Sequence, residues 1–106
     1  MNGDKWSKQE KAVARRAFET AYEKECGEII NKIQEMAKKA SDPDEIWQLH
    51  DFLNTKRREI DDKYDFRYSM LILVFARLLK EGWIDAQDLE GLREDKITKI
   101  KELARV

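Results

Sequence analysis

SKQEKAVARRAFETAYEKECGEIINKIQEMAKKA, residues 7–40, is the stretch that decides the fold. Apolar residues recur in it at Ala14, Phe18, Tyr22, Cys26, Ile29, Ile33, Met36 and Ala40. Steps of three and four mark one face of an α-helix. Val13, Ala17, Ala21, Ile30 and Ala37 widen that face. Ser7 and Glu10 have the spacing of a capping box, in which each side chain satisfies the other's free backbone N–H. No proline interrupts the run, and Gly27 costs only about 1 kcal/mol against alanine. Such a helix is roughly 50 Å long at about 1.5 Å per residue. A compact domain of this size has a radius of gyration of only about 13 Å. One end must therefore project with its apolar face uncovered. A second copy of the chain is the simplest cover, since two-fold dimers are the commonest assembly. The segment from Ala14 to Ile33 is accordingly expected to be dimer surface, with Phe18, Tyr22, Ile29, Ile30 and Ile33 as its stalk contacts.

Working outward, residues 1–6 read as a tail. On the other side, Asp42 is a good N-cap, Pro43 suits a first helical position, and Glu45 adds an acidic first turn. A second helix starts there and is expected to bury Ile46, Leu49, Leu53 and Ile60. The polar stretch Asp61 to Arg67 is the expected break. Tyr68 to Leu79 is apolar on nearly every side and predicts a central helix. Gly82 supplies a left-handed cap, with Trp83 folding back on Leu78. Asp85 caps the next segment, with Ile84 and Leu89 as a hydrophobic staple. A last segment repeats at Leu92, Ile97, Ile100 and Leu103, and Gly91 bends or splits it. The expected architecture is all-α: one helical domain, with stalk helices over 7–62 and a compact helical head over 63–106.

The totals narrow the function. A net charge of -1 lacks the basic excess of a nucleic-acid binder, and acids at Glu59, Asp61 and Asp62 follow Lys56-Arg57-Arg58 at once. One cysteine and no signal-peptide pattern fit a reducing cytoplasm. The longest apolar run, Met70 to Ala76, is far short of the roughly 20 residues needed to span a bilayer. One His and one Cys on different helices make no metal site. No phosphate-binding glycine loop or nucleophile elbow is present. His50 and Asp51 are helix neighbours about 100° apart, a poor geometry for one to orient the other. Neither enzyme nor cofactor is expected.

The second helix holds the anomaly. Trp47, Asp51, Asn54 and Arg58 fall opposite the expected core stripe, with His50 and Arg57 between. A tryptophan among polar residues either packs on the first helix of its own or a partner chain, or belongs to a binding face. Trp and Arg are the types enriched in interface hot spots, and Asp51 with Arg57 or Arg58 adds charge complementarity. Trp6, Trp83 and the Tyr64, Phe66, Tyr68 series read as structural packing.

Ile46-Trp47-Gln48-Leu49-His50-Asp51-Phe52-Leu53, Lys56-Arg57 and Glu59-Ile60-Asp61 carry a resemblance to a known family. It extends through Lys63-Tyr64-Asp65, Val74-Phe75-Ala76, Lys80-Glu81-Gly82 and Leu103-Ala104-Arg105. With these motifs the chain resembles the cyanobacterial fluorescence recovery proteins, weakly at the N-terminus and strongly from Asp44 onward. The resemblance implies a helical homodimer whose partner is the orange carotenoid protein, bound through its C-terminal domain. In strong light that protein turns red, docks on the phycobilisome and dissipates excitation by non-photochemical quenching. The family binds the red form, helps detach it, and speeds its return to orange, so that antenna fluorescence recovers. Such a role implies a cytoplasmic location at the thylakoid surface near phycobilisomes. The family's dimerisation and activity residues carry over to Trp47, His50, Asp51 and Arg57, and a head site to Lys99. Leu73 stands where an exposed phenylalanine is expected in cyanobacterial members. Relatives also occur in bacteria without the carotenoid protein, and an alternative is such a homodimer with another protein partner.

Overall fold

The computed structural model describes residues 5–106, and the first four residues of the expected tail lie outside it. Helix α1 spans Lys8–Lys39, and the capping box forms: Ser7 Oγ accepts from the Glu10 N–H at 3.1 Å, and Glu10 Oε1 accepts from the Ser7 N–H at 3.0 Å. Helix α2 spans Pro43–Lys63, with Asp42 Oδ1 accepting from the Glu45 N–H at 3.0 Å. The chain leaves helical form over 64–70, beside the polar stretch. Helix α3 spans Leu71–Glu81. Gly82, at φ 84°, ends it in a Schellman motif: Trp83 N–H donates to Leu78 O at 2.9 Å and Gly82 N–H to Leu79 O at 3.2 Å. A single 3-10 turn, Ala86–Leu89, follows with Asp85 as its cap, and helix α4 spans Glu94–Ala104. No helix among the described residues is long and apolar enough to cross a membrane.

The molecule is elongated, 56 × 25 × 22 Å with a radius of gyration of 16.8 Å, because α1 outruns the bundle it supports. Leu71, Val74, Phe75 and Leu78 of α3 form the centre of a C-terminal bundle with Ile84, Leu89, Leu92 and Ile100. The face that α1 offers to it is Val13, Ala14, Ala17 and Ala21. Small side chains here let the large residues of α3 press close to the α1 backbone. The expectation that dimer surface begins at Ala14 is corrected accordingly. Ala14, Ala17 and Ala21 cover their own head, and Phe18 is half-buried beside Tyr64 and Phe66. Trp6 is also part of this core, with its indole 5.8 Å from the Tyr68 ring.

Helix α2 is rotated from the sequence expectation. Only Ile60 of the four expected core residues is buried; Leu49 is half-buried, and Ile46 and Leu53 are exposed. Its inward line is Glu45, Leu49, Phe52, Lys56, Ile60 and Lys63. Lys63 sets this rotation, because its ammonium is bound to carboxylates of α1 and of the α3 end.

Gly91 splits the last segment as its position allows. Its φ of +107° lies in the left-handed region, and an added Cβ would meet Val13 Cγ2 at 2.7 Å. Gly91→Ala is expected to cost about 2 kcal/mol, from backbone strain and displacement of Val13. A urea midpoint unchanged from the native chain would refute that packing.

Candidate functional site

Beyond Glu25, no residue of α1 is buried within its own chain. Cys26, Ile29, Ile33 and Met36 are half-covered by α2, and Ile30 is 56% exposed. Turning Phe52 and Lys56 inward leaves two adjoining lines of α2 in solvent. One is Ile46, His50, Leu53 and Arg57; the other is Trp47, Asp51, Asn54 and Arg58. Trp47 is 63% exposed, the most of any aromatic residue among those described. Tyr22, Cys26, Ile29, Leu53, Lys56, Arg57 and Ile60 line a cleft of about 160 Å³ between the two helices.

This surface has the chemistry of a grip. Apolar Ile30, Ile46, Trp47 and Leu53 offer area to bury, and Arg57 offers a fixed charge. Arg57 Nε donates to Asp61 Oδ2 at 2.9 Å, one turn along α2, rather than to Asp51. The Cys26 sulfur raises the Tyr22 phenol above its ordinary value, and Arg57 opposes that shift. His50 Nδ1 lies 3.5 Å from Asp51 Oδ1, closer than their helical angle implied, yet both side chains are largely in solvent. Nothing there excludes water or brings a third group to the imidazole. No cluster of three or more metal-ligating side chains occurs among the described residues.

The head carries the other candidates. Leu73 is 54% exposed on α3, where it edges a groove completed by Ala76, Arg77, Lys80 and Leu103. Lys99 is exposed on α4, one turn before Leu103. The stalk candidates Tyr22 and Ile30 are exposed, while Phe18, Ile29 and Ile33 are half-buried. Sequence reasoning missed Ile46 and Leu53 as surface residues, having assigned them to the core. Their signal was position, since both adjoin Trp47 and His50 on a helix already suspected of an outward apolar face.

Two buried ionic clusters fix this surface relative to the head. In one, Lys63 Nζ donates to Glu25 Oε2 and to Glu81 Oε1, each at 2.6 Å. Tyr64 donates its hydroxyl to Glu25 Oε1 at 2.9 Å, and Trp83 Nε1 donates to Glu81 Oε1 at 3.1 Å. Burial and then the Glu25 bond push the Tyr64 phenol far above its usual range. Burial opposes the charge on Glu81, but Lys63 and Arg77 outweigh it and hold the carboxyl below its usual value. In the other cluster, Glu10 accepts from Lys96 Nζ at 2.9 Å and from the Arg93 N–H at 2.9 Å.

Comparison with known proteins covers nearly all of this chain. The family described as photoprotection regulator fluorescence recovery protein matches residues 6–104. A fluorescence recovery protein of Synechocystis sp. is 46% identical over 101 residues, which is 95% of this chain and 93% of that one. The structure of the Fremyella diplosiphon fluorescence recovery protein superposes with a TM-score of 0.92 at 47% identity, covering 96% of this chain and 100% of that one. The Synechocystis structure gives 0.92 at 46% identity with the same coverage.

Proposed function

The chain belongs to the fluorescence recovery protein family, and we propose that it grips the photoactivated orange carotenoid protein chiefly through the outer face of α2. It is a non-enzymatic regulator of photoprotection. By binding the red carotenoid protein it speeds the return to orange and the detachment from the phycobilisome, which restores antenna fluorescence. The observation that carries this is the extent of the likeness: 46% identity over 95% of the chain, through α2 and the head alike.

The physics of such a role is selective binding. A slow conversion between two states accelerates only if the binder holds the intermediate arrangement more tightly than the starting state. Equal affinity for both states shifts nothing. Two chains pair along the stalk through Ile29, Ile30, Ile33 and Ile46, and Phe18 and Tyr22 extend the seam toward the head. The uncovered apolar line on α1 and α2 supports this pairing. Trp47, His50, Asp51, Asn54, Arg57 and Arg58 serve both the seam and the partner. Leu73 and Lys99 form a second contact from the head, and the C-terminal domain of the carotenoid protein is the part held. The working location is the cytoplasm, at the thylakoid surface beside phycobilisomes.

The decisive measurement is reversion of photoactivated orange carotenoid protein in darkness, with and without this chain. Acceleration at substoichiometric dimer is expected, and unchanged kinetics at excess dimer would refute the proposal. Trp47→Ala is expected to cut the acceleration at limiting concentration by about thirtyfold, the loss of a hot spot worth about 2 kcal/mol. Sedimentation of the same variant shows whether the dimer or the partner contact has been weakened.

A further inference from the structure

Helix α1 opens with a charge pattern that its own stability does not want. Lys8, Lys11, Arg15 and Arg16 are all exposed cations, and the only acid before Glu19, Glu10, is buried. The positive end of a helix dipole disfavours cations in its first turns. Lys11 and Arg15 are also four residues apart, where like charges repel. None of the four has a carboxylate within ion-pair distance among the described residues. A local choice that costs stability without a compensating contact points to function.

The second observation is where two of these cations are held. Lys11 Nζ stands 5.2 Å from the centre of the Tyr68 ring, and the Arg15 guanidinium stands 3.8 Å from that of Phe66. Those rings belong to a row of edge contacts. Tyr68 meets Phe66 at 5.6 Å, Phe66 meets Phe18 at 4.9 Å, and Phe18 meets Tyr64 at 5.3 Å. The 64–68 segment is thus a ledge on which α1 lays out positive charge at fixed spacing.

We propose that this ledge, with Lys11 and Arg15 at its centre and Lys8 and Arg16 beside them, docks an acidic patch on the folded protein that the chain grips. It rests on the grip reading above and adds a separate contact to it, on α1 and the 64–68 segment rather than on α2. A membrane of anionic lipid would read only the number of charges. Fixing cations over rings gives nothing against such a diffuse surface. Against a fixed set of carboxylates it lowers the cost of ordering on binding. Rim charges of this kind act mainly on the association rate and its salt dependence.

The test replaces Lys8, Lys11, Arg15 and Arg16 by Gln together in the full chain. Its helix content and melting temperature are expected to stay at or above native values, since the substitutions relieve repulsion. Association with photoactivated orange carotenoid protein should slow about tenfold at low ionic strength and lose most of its salt dependence, with the reversion rate at saturation unchanged. A native association rate and native salt dependence in the variant would overturn the proposal. So would selective binding of the native chain, and not the variant, to vesicles of phosphatidylglycerol with phosphatidylcholine while protein association stays the same. A second arm titrates the native chain with a hexaglutamate peptide and follows backbone amide shifts. Shifts are expected at residues 8–16 and 64–68, and their absence or dispersal over the chain overturns the ledge. That arm stands even if the carotenoid protein fails to respond, so the two proposals fail separately.

Discussion

Lys63→Met is expected to lower the unfolding free energy by about 3–5 kcal/mol, the cost of leaving a buried charge without its partner. Lys63 is 5% exposed, and its ammonium lies between Glu25 and Glu81 at 2.6 Å from each. The two acids are not equally stranded when it goes. Glu81 is a third exposed and keeps Arg77 at 3.0 Å and the Trp83 indole. Glu25 is 9% exposed and keeps only the Tyr64 hydroxyl. The penalty therefore falls on Glu25, and Lys63→Met with Glu25→Met should recover most of it, since a well-packed apolar pair often equals a buried ion pair. A chain of this size has only about 5–15 kcal/mol in total, so the single variant is marginal. Urea unfolding of the native, single and double variants measures this as a coupling energy. A single-variant loss under about 1 kcal/mol would show that Lys63 is not buried as described.

This cluster joins the stalk to the head. Glu25 is on α1, Lys63 ends α2 and Glu81 ends α3. Trp47 and Arg57 lie on the same helix as Lys63, so the cluster sets the direction in which the gripping face points. A variant that loosens it is expected to lose partner affinity along with stability, although it touches no proposed contact.

What the sequence made legible was local. Ser7 with Glu10, Asp42 with Pro43, Gly82 with Trp83 and Asp85 with Leu89 each mark an element end through residues one to five apart. Such signals are readable without knowing what packs on what. Rotation of a helix about its own axis is not local. On α1 the line Ala14, Phe18, Tyr22 and the line Ala14, Ala17, Ala21 both satisfy a helical period. Only the bulk of Leu71, Phe75 and Leu78 arriving from α3 selects the second. The same holds for α2, where a charged residue, Lys63, turns inward and carries Ile46 and Leu53 outward. In a chain that is 41% charged, four buried ions look like any other solvated charges. Their trace was faint: Glu10 and Glu25 continue the alanine line of α1 by one turn at each end. On the candidate site, the exposure of Trp47 was readable because its neighbours Asp51, Asn54 and Arg58 are polar.

Glu10→Gln is expected to cost about 3 kcal/mol at neutral pH and to flatten the acid limb of the stability curve. Glu10 is 3% exposed. Burial alone raises its pKa, but bonds from the Ser7 N–H, Lys96 and the Arg93 N–H outweigh it and hold the carboxyl at about 2, against an ordinary 4.5. The folded-state value is the lower one, so the unfolded chain binds a proton first as pH falls. The stabilisation is complete above about 4.5 and is lost progressively as pH falls toward about 2. Glutamine keeps the shape, the capping bond to Ser7 and an acceptor for Arg93, so the difference between the two proteins isolates the charge facing Lys96. Lys96 is itself 3% exposed, and after the substitution it retains only the Lys5 carbonyl and the Trp6 ring, 4.5 Å away. Urea unfolding across this pH range should give curves that converge near pH 2 and separate above 4.5. Parallel curves would mean that Glu10 does not carry its charge inside the fold. Convergence would mean that the root of α1 is fastened to α4 by an ion pair, so that the long helix leaves the head at a fixed angle and its outer half can present a seam and a grip together.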